Sequence, residues 1–251
     1  GGKKPAPGKV ATPQTTRVIP DTAYSLEKHK SADADVRFEG KRVMTEKLPI
    51  DDMSAHLFLR KGVPTLAPLN FGVADGKVVS DITLDGTKPV IASRADVRVQ
   101  SLQLGKLLPR LNISKASAGE MDGRVKLAGH GNSVAAMLGS ASGDTSLVVG
   151  EGEVSDLLLR LSNLDLANTL LILMRGDRNI PIRCMVADLA WNDGVVQPRR
   201  FIVDTQHTTL LGEGSANFHD ETLDMRLVAK PKGKSLVSLR GPIDVGGTFA
   251  N

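Results

Sequence analysis

From about residue 33 onward the chain alternates apolar and polar residues in short stretches separated by turn formers, which is the period-two pattern of strands with one buried face. Met53, Ala55, Leu57 and Leu59 alternate with Ser54, His56, Phe58 and Arg60. Leu69, Phe71 and Val73 repeat the pattern, and Val78, Ser80, Ile82 and Leu84 supply the return strand of a hairpin. Asp75-Gly76 sits between them and predicts a two-residue turn in which the glycine takes the positive φ. Ile91, Ser93, Ala95, Val97 and Val99 predict the next strand. It leads into LQLGKLLPRLN, where Leu104, Leu107, Leu108 and Leu111 have helical spacing and Pro109 makes the helix short or kinked.

Further along, GRVKLAG and TSLVVGEGEVS read as strands flanking a helical stretch, SVAAMLGSA. Ile182, Cys184 and Val186 alternate before a turn at Asn192-Asp193-Gly194, and Phe201, Val203 and Thr205 follow it. Leu210 to Phe218, a turn near His219-Asp220, and Leu223, Met225, Leu227 and Ala229 complete the series. The pattern predicts a mainly β fold of about ten to twelve strands with two or three short amphipathic helices. Residues 1 to 20, rich in Lys, Pro, Gly and Thr, carry no hydrophobic period, so 1–32 reads as a flexible linker or tail and 33–251 as one β domain.

The Leu-rich stretch 157 to 174 is the most apolar in the chain, but Arg160, Asn163, Asp165 and Asn168 make it too polar for hydrocarbon. It reads as an amphipathic or buried helix. Its LSNLDLANTLLIL shares an L-x-L then LL signature with LQLGKLLPRL. Either a strand-then-helix unit is repeated, or two Leu-rich helices simply align.

Composition narrows the chemistry. The chain is 41% hydrophobic and 24% charged, ordinary globular usage, yet only 3% aromatic, with Trp191 the sole tryptophan and Tyr24 the sole tyrosine. A net charge of +4 spread over 251 residues, with basic pairs lacking aromatic neighbours, gives no reason to expect a nucleic-acid partner. His29, His56, His130, His207 and His219 match no metal spacing, and His56 and His219 fall at solvated positions. Cys184, the one cysteine, alternates with Ile182 and Val186 and reads as buried apolar filler. Gly129-His130-Gly131 and Gly212-Glu213-Gly214 lack phosphate-loop spacing, and no GxSxG elbow occurs. No catalytic residue, cofactor or metal is expected, which points to a protein that is not an enzyme.

Four segments, 48 to 86, 98 to 111, 131 to 166 and above all 180 to 251 (IPIRCMVADLAWNDGVVQPRRFIVDTQHTTLLGEGSANFHDETLDMRLVAKPKGKSLVSLRGPIDVGGTFAN), resemble the C-terminal region of the AsmA family of bacterial envelope proteins. The resemblance implies a long curved antiparallel sheet folded like a taco around an open hydrophobic groove. It also implies a periplasmic location, with the full-length protein anchored in the inner membrane through an N-terminal helix absent from this chain. Members of the family are tied to outer-membrane biogenesis and phospholipid movement, so phospholipid or another acyl-chain lipid is the partner implied, together with envelope proteins.

An acyl chain of roughly 16 carbons crossing water faces a barrier on the order of 12 kcal/mol, and an aliphatic trough would remove most of it without any catalytic group. Leu57, Leu59, Phe71, Ile82, Leu84, Val97 and Val99 are the candidate groove residues. The competing reading for each is plain core packing. An alternative function is a scaffold or interaction module that assists outer-membrane protein or polysaccharide assembly through an exposed strand edge.

Overall fold

The computed structural model describes residues 17–24, 33–44, 49–61, 63–110, 119–154, 180–233 and 242–250. Among them are thirteen strands and two short helices: β1 (Ala34–Met44), β2 (Pro49–Arg60), β3 (Val63–Val73), β4 (Gly76–Asp85), β5 (Ala92–Gln103), α1 (Leu104–Arg110), β6 (Glu120–His130), α2 (Val134–Gly139), β7 (Ser142–Val149), β8 (Gly152–Val154), β9 (Ile180–Asn192), β10 (Val195–Thr205), β11 (Thr208–Asn217), β12 (Thr222–Pro231) and β13 (Ile243–Thr248). The expected 157–174 helix lies outside the described residues.

All these strands belong to one antiparallel sheet, ordered β1-β2-β3-β4-β5-β6-β7-β9-β10-β11-β12-β13, with β8 pairing β9 off this path. The sheet is open: among the described residues β1 and β13 are its edges and do not meet. At about 4.8 Å per strand the twelve-strand path runs roughly 53 Å from edge to edge. The mainly β fold expected from the alternation is the fold observed. TSLVVGEGEVS makes two strands rather than one, because Gly150-Glu151 interrupts the ladder between β7 and β8.

Directly paired residues point to the same face of a sheet, so register decides what the two faces carry. Leu57 pairs Leu66, which pairs Ile82, which pairs Ala95, which pairs Leu127. A second row runs Phe71, Val78, Val99, Gly123, Leu147, Ala187 and Phe201. Farther on, Leu210 pairs Ala229, and Met225 pairs Val245. One face is therefore aliphatic from β2 to β13.

The other face is laced by ion pairs: Arg124 with Asp96 at 2.8 Å, Arg199 with Asp144 at 2.6 Å and Asp188 at 3.3 Å, and Arg226 with Asp244 at 2.7 Å. The Arg124 guanidinium holds Asp96 below the usual carboxylate range, and Asp96 in turn raises Arg124. Exposed pairs of this kind add little stability, but they keep this face in water and so fix which side of the sheet is the greasy one.

Two expectations fail in detail. In the β3–β4 hairpin the positive-φ residues are Ala74 (φ 48) and Asp75 (φ 59), while Gly76 keeps an ordinary φ. Gly76 is glycine for a different reason, since a Cβ there would stand 2.6 Å from Leu102 Cα. Cys184 does not share a face with buried Ile182. A bulge between the pairs Asp204–Cys184 and Thr205–Ile182 flips the phase, so half-buried Cys184 lies opposite Asp204 on the polar side. Met185 packs instead against the buried cluster of Ile182, Val203 and Leu210.

Candidate functional site

The seven candidate groove residues come from four neighbouring strands, Leu57 and Leu59 from β2, Phe71 from β3, Ile82 and Leu84 from β4, and Val97 and Val99 from β5. Register brings all seven to the aliphatic face. Only Leu59 is buried, at 9% exposure. Leu57 is 37% exposed, and Phe71, Ile82, Leu84, Val97 and Val99 are half-buried. No large side chain among the described residues reaches full burial. Ordinary core packing would put such residues in contact with a second layer, and among the described residues these strands pack mainly against their sheet neighbours, with α1 touching β5 only at its end. The face continues beyond the seven to Val36 (50% exposed) and Phe38 (48% exposed) on β1, which pair Leu57 and Ala55. Sequence reasoning missed both, although Val36 and Phe38 alternate with Asp35, Arg37 and Glu39 and so carried the same signal.

One end of the sheet is covered. There α2 bridges β6 and β7, and its N-cap Ser133 Oγ accepts from the Ala136 N–H. Residues 17–24 run across this end: Tyr24 N donates to the Asn132 carbonyl at 2.5 Å, and Ala135 N to the Pro20 carbonyl at 3.0 Å. At the far side Glu221, only 5% exposed, grips the strap, accepting from Val18 N at 2.7 Å and Arg17 Nε at 2.9 Å. Burial alone would raise this carboxyl. The Val18 and Ile19 N–H groups and the Arg17 guanidinium outweigh it and hold Glu221 below its ordinary range. Close by lie three of the few aromatic residues, Trp191 and Phe218 with ring centres 4.5 Å apart and Phe249 edge-on to Phe218 at 5.1 Å. The Trp191 indole N–H donates to Thr145 Oγ1 at 2.9 Å. The sequence carried no signal for this arrangement, because residues 17–24 show no period and their partners lie far along the chain.

At the opposite end, α1, the β3–β4 turn and the start of β2 border an open depression of about 460 Å³ lined by Asp51, Asp75, Lys106 and Arg110 among others. Lys106 and Asp75 form an ion pair there. His56, expected to be solvated, is instead held on the polar face 2.7 Å from Asp35 Oδ1 and stacked on Phe58. Among the described residues, no group of three or more His, Cys, Asp and Glu side chains could hold a metal ion, and no helix is long and apolar enough to cross a membrane.

A single open sheet with one aliphatic face and one charged face defines a class of protein rather than a reaction. The AsmA family pattern matches residues 2–201, and the chain belongs to that family of bacterial envelope proteins. Among curated proteins it is similar to the AsmA family protein YhjG of Escherichia coli (strain K12), 35% identical over 245 residues, which is 97% of this chain. The chain spans 36% of the length of that relative. No solved structure matches.

Proposed function

We propose that this chain is a non-enzymatic part of the periplasmic envelope machinery and shelters acyl chains, those of phospholipids in the first place, along the aliphatic face of its sheet, in support of outer-membrane biogenesis. The observation that carries the reading is that Phe71, Ile82, Leu84, Val97 and Val99 stay partly exposed on a face that no second layer covers among the described residues. Such a surface costs free energy in water, and a hydrocarbon tail laid on it relieves that cost at about 25 cal/mol for each Å² removed from water. The sheet offers a continuous path, and no group on it needs to react.

The test is direct. The chain, expressed in the periplasm and purified without detergent, is extracted and its lipids identified by mass spectrometry. Phospholipid in fixed proportion to protein is the expected result. Protein free of lipid, with the same open face, refutes the reading. A second reading, a scaffold for outer-membrane protein or polysaccharide assembly, is favoured by the long β1 edge, and crosslinking in cells that recovers client proteins while groove substitutions leave function intact would select it.

A further inference from the structure

Among the described residues β1 is a long edge, eleven residues, whereas the β13 edge is six residues ending in Gly246-Gly247-Thr248. Natural edges are blunted by charge, and β1 carries charge in a particular order: Asp35, Arg37, Glu39 and Lys41 alternate in sign on the polar face, and all four are exposed. Between them, on the aliphatic face, lie Val36 and Phe38, about half exposed. Gly40 follows, and the Phe38 ring covers it, with Cε1 3.1 Å from where a Cβ would be.

We infer that β1 is a homodimer edge: a second copy of this chain pairs antiparallel with β1 about a two-fold axis through Phe38. In that register Asp35 faces Lys41 of the second copy, Arg37 faces Glu39, and the same two pairs recur on the other side of the axis, so each of these four charges meets its opposite, while Arg42 keeps its own partner Asp51. Shifting the axis by one residue either way sets Arg37 or Glu39 against its own copy and leaves like charges opposed. Registers displaced by half that step put Val36 and Phe38 on the charged side, because a one-residue slip exchanges the faces. Axes through Val36 or Gly40 also match the faces but form only two opposite-charge pairs (Asp35 with Arg37, or Glu39 with Lys41), so the axis through Phe38, with four, is the favoured alignment. Phe38 then meets Phe38, Val36 meets Gly40, and the aliphatic faces of the two sheets become continuous.

Opposite charges across strands attract and like charges directly opposed repel. Sedimentation velocity on the 251-residue chain should show a reversible dimer at roughly micromolar to tens-of-micromolar concentration, in keeping with a small, transient interface. Glu39→Lys sets a new ammonium group against Arg37 at two places and should weaken the dimer at least ~10-fold. The swap Arg37→Glu with Glu39→Arg recreates both attractive pairs and should restore it, with far-UV circular dichroism confirming that each variant is folded. Independently, in a Cys184→Ser background, Phe38→Cys should form an intermolecular disulfide on mild oxidation, since residues opposed on the axis lie about 5 Å apart. Val36→Cys should not, because its copies are separated by roughly 14 Å. A monomer at all concentrations, a dimer indifferent to Glu39→Lys, or a swap that fails to restore association would each overturn the inference.

Discussion

Replacing Val99 by aspartate separates a lipid-bearing face from an ordinary core. Val99 sits half-buried between Val78 and Gly123 on the aliphatic face. Val99 is only partly exposed, so most of the roughly 2 kcal/mol that full burial of a valine contributes is lost, and the poorer strand preference of aspartate adds up to about another 1 kcal/mol. The site keeps part of its surface in water, where the new carboxylate can hydrate, so the chain stays folded with a loss of about 2–3 kcal/mol. A tail lying across this position instead loses apolar contact along roughly three or four methylenes. At ~0.8 kcal/mol each this is ~3 kcal/mol, or about a hundredfold in affinity. Val203→Asp is the control: Val203 is 6% exposed in the cluster with Ile182 and Leu210, so its carboxylate would be buried without a partner. That costs several kcal/mol against a total stability of about 5–15 kcal/mol. Urea unfolding gives the first quantity and mass spectrometry of co-purified lipid the second. If Val99→Asp unfolds the chain as Val203→Asp does, the face is core. If it keeps lipid at the original stoichiometry, the tails do not lie there.

The β3–β4 hairpin offers an inverted glycine rule: Ala74→Gly removes a left-handed strain of about 1 kcal/mol and should raise the urea midpoint, whereas Gly76→Ala forces a Cβ toward Leu102 Cα and should lower it by about 1–3 kcal/mol. Because Glu221 is held below its ordinary range, the strap's grip is complete above the usual glutamate pKa and weakens as pH falls through the lower folded value. Acid titration should therefore show residues 17–24 becoming protease-sensitive well before global unfolding, and Glu221→Gln should show that sensitivity at neutral pH. An unchanged cleavage profile for Glu221→Gln would show that the carboxylate does not hold the strap. Thr145→Val leaves the indole N–H of Trp191 without its acceptor, at about 1–2 kcal/mol, and should shift the single-tryptophan emission, which can be read against urea unfolding of the same variant.

What the sequence determined by itself is local. Strand-forming alternation has period two, and each residue's side follows from its neighbours, so Leu57, Ile82 and Val99 could be assigned to one apolar face before any pairing was known. The charged side was legible for the same reason, and so was the Asn192-Asp193-Gly194 turn, where Asp193 and Gly194 both adopt positive φ. What only the tertiary structure decided involves breaks in that period or contacts between distant positions. The bulge beside Thr205 flips Cys184 to the charged side, and Gly76 answers to the backbone around Leu102 on the next strand of the sheet. The strap depends on Arg17 meeting Glu221, 204 positions apart. Such contacts form only after the ladder has brought its ends together, since closing so long a loop returns nothing until the intervening strands are paired. Whether the aliphatic face would be consumed as core also lay beyond the alternation, because a period of two marks a face as apolar without saying whether anything covers it.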